Sequence, residues 1–184
     1  MILPVYIYGS PVLRKVAREV EQDEEGVEQF IQNLWETMHH SDGIGLAAPQ
    51  VGQSSQIFVV DGTPLEKDDP ALKDFKMTFI NPEIIERYGD DKTYEEGCLS
   101  IPEIREEIVR PEKIKIRWFD SNFTFHEEEF GGIGARIIQH EYDHLQGILF
   151  TDKVAPLKKR MLRGKLNAIA KGKFDVKYKV KVAK

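Results

Sequence analysis

One run, GGIGARIIQHEYDHLQG at residues 131–147, limits what this chain can fold into more than any other. Ile133, Ile137 and Leu145 recur at helical spacing, which predicts a helix from about Ile133 to Leu145, stopped by Gly147. His140, Glu141 and His144 fall close to its apolar side by angle. A segment so apolar does not sit exposed, so these charged groups must face the interior. Burying three ionisable groups without partners costs several kcal/mol. The plain alternative is a pair of surface histidines beside a charged helical face, and the apolar run before them argues against it.

A bound metal ion resolves the conflict. Residues four apart on a helix lie one above the other, so His140 and His144 can hold one ion while Glu141 reaches a water bound to it. A catalytic ion of this kind needs a third protein ligand and one open position. Cys98 is the single cysteine, so it forms no intramolecular disulfide and is a packed thiol, a reactive thiol or a ligand. It stands in EEGCLSIP, after a flexible Gly97, and is the candidate third ligand, although a lone cysteine by itself is equally a small buried hydrophobe. His39 and His40 end a packed helix and His126 lies among acids, so none of them is assigned to the metal. A further stretch, GIGLAAPQ at residues 43–50, allows close backbone approach, and Gln50 offers an amide able to donate to an oxyanion. A tight turn feeding the next strand would explain the same residues.

The rest of the chain reads as one α+β domain of 184 residues. Val27, Phe30, Ile31, Leu34, Trp35 and Met38 mark an amphipathic helix over 27–39, and Ser10-Pro11 predicts a short helix through VLRKVA. Strands are expected at 56–61, 77–85, 113–119 and 123–130, giving antiparallel sheets around the central helix that carries HEYDH. Residues 62–76 read as a surface loop. A C-terminal helix is expected over 157–170, and FDVKYKVKV beyond it as a basic tail or edge strand, so the domain is placed at 1–170 and the tail at 171–184. No apolar run approaches the ~20 residues a membrane helix needs, and the start lacks the basic flank of a signal peptide, which makes the cytoplasm the expected compartment. The net charge of −5 is uneven: from Lys153 onward twelve Lys/Arg face the single acid Asp175. This segment is either a solvated tail or a surface for a polyanion.

Taken in order, GIGLAAPQ, EGCLS and HEYDH closely resemble the peptide deformylase family, and the likeness runs from GSPVLR at 9–14 through VRPEKIKI to GILFTDKVAPLKKR. The resemblance implies removal of the N-formyl group from the N-terminal methionine of nascent chains, releasing formate. It implies Cys98, His140 and His144 as metal ligands, Glu141 as the catalytic glutamate, and the Gln50 side chain with the Leu99 backbone amide as oxyanion donors. Ile44, Gly45 and Arg105 are implied as substrate contacts, and Asp42 as the ion-pair partner of Arg110. Fe²⁺ is the expected native ion, with Zn²⁺, Ni²⁺ or Co²⁺ able to substitute. A monomer is expected, with N-formyl-methionyl peptide as substrate and the ribosome as partner of the basic segment. On that last reading Leu157, Met161, Leu162, Leu166 and Ile169 pack inward and Lys158, Lys159, Arg163 and Lys165 point outward.

Two other readings fit parts of the pattern. A metallopeptidase cutting internal peptide bonds also uses His-Glu-x-x-His, but Cys98 is the wrong third ligand for the better-known ones. A metal-stabilised binding module would need a fourth protein ligand, and no second cysteine exists to supply it.

Overall fold

A computed structural model describes residues 1–183. The strands are β1 (Val5–Tyr6), β2 (Gly45–Ala47), β3 (Ile57–Asp61), β4 (Lys76–Cys98), β5 (Ile101–Phe119), β6 (Phe125–Gly131) and β7 (Val180–Lys181). The helices are α1 (Val27–His40), α2 (Gly132–Leu145) and α3 (Pro156–Ala170). Strands β2 to β6 form one antiparallel sheet in chain order. The second sheet departs from the all-antiparallel expectation, because β7 pairs with β1 in parallel. The short helix expected after Pro11 is a single 3-10 turn, Pro11–Arg14, and Ser10 makes no side-chain cap.

Strand β3 explains the layering. All five of its residues are buried, the pattern of a strand covered on both faces. Alternation sends Ile57 and Val59 toward Leu34 and Met38 of α1, and Phe58 and Val60 toward Ile138 and Leu145 of α2. Phe58 stacks on Phe79 with ring centroids 4.6 Å apart, and Phe79 meets Trp118 at 4.7 Å. Helix α2 is thus enclosed on its apolar side by the sheet.

The largest departure from the expected strands is the β4–β5 hairpin. Two segments read as separate short strands are the outer ends of one long ribbon, kinked by register shifts, whose inner end is a two-residue turn at Leu99 and Ser100. Cys98 and Ile101 face each other across that turn. A third apolar cluster, including Ile101, Ile104, Phe150, Leu166 and Ile169, docks α3 beside the hairpin. Here the amphipathic reading of α3 needs correction: Leu157 and Met161 are 71% and 76% exposed, so only the C-terminal half of the helix packs.

Candidate metal centre and active site

The geometry begins with α2. Its period stacks His140 and His144 with ring centroids 5.2 Å apart. The hairpin turn brings Cys98 against them, with its Sγ 3.4 Å from His144 Nε2. One potential ligand atom from each of the three residues lies within 4.8 Å of the others. His140 Nδ1 donates to Glu96 Oε1 at 2.8 Å, which fixes the tautomer and leaves Nε2 to face the cluster. His144 is buried and its Nδ1 has no hydrogen-bond partner.

Glu96 lies at the centre of a buried ionic network. It accepts from Arg110 Nε at 2.7 Å and Nη2 at 2.9 Å, and from Arg136 Nη1 at 2.9 Å. Arg110 also donates to Asp143 of α2 at 2.8 Å. The expected Asp42–Arg110 pair is therefore absent, because both ends of the guanidinium are taken by Glu96 and Asp143. Burial works to raise the Glu96 pKa, but the bonds from His140 and Arg110 prevail and hold it far below the usual carboxylate range. Burial likewise works to lower the His140 pKa, and the contacts to Cys98 and Glu96 overcome it and hold it well above normal. Burial, with His140 alongside, pushes His144 well below normal.

Glu141 sits next to the cluster, and burial pushes its carboxyl up to about 7. Its Oε2 is buried without a partner. Gly45 leaves room for it: a Cβ at that position would come 2.4 Å from Glu141 Oε1. Gln50 is held from one end, its Oε1 accepting from the Ala47 amide at 2.9 Å. That aims its Nε2 at Cys98 Sγ, 3.4 Å away, and at Ser100 Oγ, 3.2 Å away.

A cleft of about 580 Å³ opens over these groups. Ile44, Gly45, Gln50, Cys98, Leu99, Arg105, His140 and Glu141 all line it, while His144 lies behind, outside the lining. Ile133 and Ile137 of α2 give it an apolar side. Arg105 reaches it from the exposed rim, where its Nε donates to Glu95 at 2.8 Å. His39 and His126 are engaged elsewhere, with Asp61 at 2.8 Å and Asp120 at 2.7 Å. Sequence reasoning gave no role to Glu96 or Ser100. The signal for Glu96 was the need of a ligating imidazole for a carboxylate on its other nitrogen.

The model of the polypeptide deformylase family matches residues 2–160. The chain belongs to the peptide deformylase family. It is 47% identical to the peptide deformylase of Christiangramia forsetii, over 98% of this chain and 96% of that one. Its fold is similar to the crystal structure of a peptide deformylase from Legionella pneumophila, with a TM-score of 0.80, 35% identity and coverage of 93% and 96%. It is also similar to a Met-Ala-Ser-bound peptide deformylase from Acinetobacter baumannii, with a TM-score of 0.76, 34% identity and coverage of 84% and 99%. Members of the family are metal-dependent hydrolases that remove the N-formyl group from nascent peptides, and this chain has the Cys/His/His group able to hold an ion.

Proposed function

We propose that this deformylase holds one divalent ion on Cys98, His140 and His144 and uses Glu141 as its proton carrier on N-formyl-methionyl peptides. The observation that carries the reading is the partnerless Glu141 Oε2, buried beside three convergent ligand atoms. Three ligands fit a catalytic ion with a position left for water or substrate, which speaks against a binding module closed by a fourth ligand, and a cysteine as the third of them speaks against the better-known peptidases. Once bound, the ion supplies Lewis acidity, polarising the formyl oxygen and making water acidic near neutral pH.

The chain's own groups do the rest. Glu141 accepts a proton from the attacking water and returns it to the leaving amine, a cycle suited by a carboxyl raised toward 7. The Gln50 amide and the Leu99 N–H donate to the oxygen on which charge develops, each bond being worth about 3 kcal/mol in a dry site. Ile133 and Ile137 receive the methionine side chain, and Ile44, Gly45 and Arg105 contact the peptide. The Acinetobacter relative bound to Met-Ala-Ser supports a cleft of this kind. Glu96 orients His140, and Arg110 with Arg136 holds Glu96.

Thiolate with two imidazoles suits Fe²⁺, Zn²⁺, Ni²⁺ and Co²⁺, and Fe²⁺ is the proposed native ion. Iron-loaded protein then loses activity in air and keeps it under argon, because a ferrous centre beside a thiolate oxidises, while zinc-loaded protein lasts equally in both. Equal half-lives of the two forms in air would count against iron.

Among the described residues no helix is long and apolar enough to cross a membrane. We place the enzyme in the cytoplasm as a monomer; every proposed group comes from one chain, so the site needs no second copy. The basic face of α3 is proposed to meet ribosomal phosphate, in a narrower form than its sequence suggested. Lys158 is paired with Glu106 at 3.0 Å and Lys165 donates to the Glu103 carbonyl at 2.6 Å, which leaves Lys159, Arg160 and Arg163 as the phosphate partners. Changing those three to Glu weakens ribosome binding at low salt, where phosphate contacts are strongest. Unchanged affinity would return the helix to a solvated face.

A further inference from the structure

The family model stops at residue 160, but the chain beyond it returns to the cleft. Phe174, Val176, Tyr178, Val180 and Val182 are half-buried, alternating with exposed Asp175, Lys177, Lys179 and Lys181. Phe174, Val180 and Val182 pack on the cluster that docks α3. Three tethers hold this strap. Strand β7 pairs with β1, the Tyr178 hydroxyl donates to the Leu99 carbonyl at 2.8 Å, and the Asp175 amide donates to Glu103 Oε1 at 3.1 Å. Glu103 itself adopts a left-handed backbone, φ 64, uncommon for a residue with a side chain. With its three anchor points the strap is a fixed part of the cleft, and Asp175, Val176 and Tyr178 line it beside Pro102 and Glu103.

The charges at this end do not balance. Arg105 is matched by Glu95, and Lys165 sits on the Glu103 carbonyl. Asp42, Glu103 and Asp175, all lining the cleft, have no ion-pair partner among the described residues; the Glu103 carboxylate is engaged by the Asp175 amide, and Lys177, next on the exposed side of the strap, lies outside the lining. On the apolar side Ile137 is buried and Ile133 half-buried, whereas Asp175 is exposed, on the solvent side of the cleft. A peptide with its formyl end at buried Glu141 has to reach solvent, and the exposed lining at Asp175 is one side it can pass.

We propose that residues 174–178 form the wall of the cleft that meets the peptide beyond formyl-methionine, and that Asp175 makes this wall favour cationic over anionic side chains there. The inference rests on the deformylase reading and adds a substrate preference to it. The test compares kcat/KM of the metal-loaded full chain on formyl-Met-Lys-Lys and formyl-Met-Glu-Glu, for the parent, Asp175→Asn and Asp175→Lys. The parent prefers the lysine peptide. That preference falls about 3-fold in Asp175→Asn and about 10-fold in Asp175→Lys, as expected for one and two units of charge a few ångströms from the substrate in a solvated site. The differences close at about 1 M salt, where the screening length is roughly 3 Å. Asp175→Asn keeps the size of the side chain and the backbone amide, so it carries the test alone if the lysine variant is unstable. An identical peptide ratio in all three proteins, or equal losses on both peptides, would overturn the proposal and leave the strap a structural tie. Failure of the parent to deformylate either peptide would overturn the reading beneath it.

Discussion

Glu141→Gln is expected to keep its metal and to release formate about 10²- to 10⁴-fold more slowly than the parent. Proton transfer by a positioned side chain contributes rate enhancement of that size, and an amide cannot perform it. Glutamine matches glutamate in volume, so it fits the space that Gly45 leaves beside Oε1. The change also removes a carboxyl that burial has already raised to about 7, so the fold loses little. Metal analysis and formate release on one preparation give the answer. Loss of the ion would make Glu141 a structural or ligating group, and a retained rate would move the proton carrier elsewhere.

Arg110→Met should act on the fold itself. The guanidinium is 4% exposed and pairs with Glu96 and Asp143, which are 6% and 7% exposed. Removing one member of a buried ionic cluster leaves the others without compensation and costs about 3–5 kcal/mol. For a domain of this size that lowers Tm by roughly 10 °C. Arg136 still reaches Glu96, and Lys153 stands 3.7 Å from Asp143, so the cost belongs at the lower end of the range. The pH dependence follows from sign. The folded pKa of Glu96 is depressed, so its contribution is fully present above its ordinary value of 4.5 and is lost as pH falls toward the folded value. Without Arg110 the depression shrinks, and the variant's deficit narrows in acid. Thermal melts of both proteins from neutral pH downward check this, and a constant difference in Tm would show that the network is not what Arg110 supports.

What the sequence revealed divides along physical lines. Helix α2 was legible because its period, its apolar lead and its glycine stop agree, and because HEYDH is a local pattern that one helix turn converts into geometry. Strand β3 was legible by a different signal: Ile57 to Val60 is an unbroken apolar run. The inner length of the β4–β5 ribbon was not, since RYGDDKTYEEG is mostly exposed and register shifts break the alternation that marks a strand. The partner of Arg110 was misjudged because pairing depends on which acids the fold delivers; Glu96 comes from the hairpin and Asp143 from α2. Leu157 and Met161 sit at helical spacing, but spacing does not say how far the neighbouring elements reach, and these two lie beyond them.

The central claim is that Cys98 is a metal ligand and not a packed thiol. Loading the metal-free protein with Co²⁺ tests it most directly, because a thiolate bound to cobalt gives an intense near-ultraviolet charge-transfer band that imidazoles alone do not. The account predicts that band at one ion per chain in the parent and in Glu141→Gln, and its loss with weakened metal affinity in Cys98→Ala. Stoichiometric cobalt without the band in the parent, or an unchanged spectrum and affinity in Cys98→Ala, would contradict it.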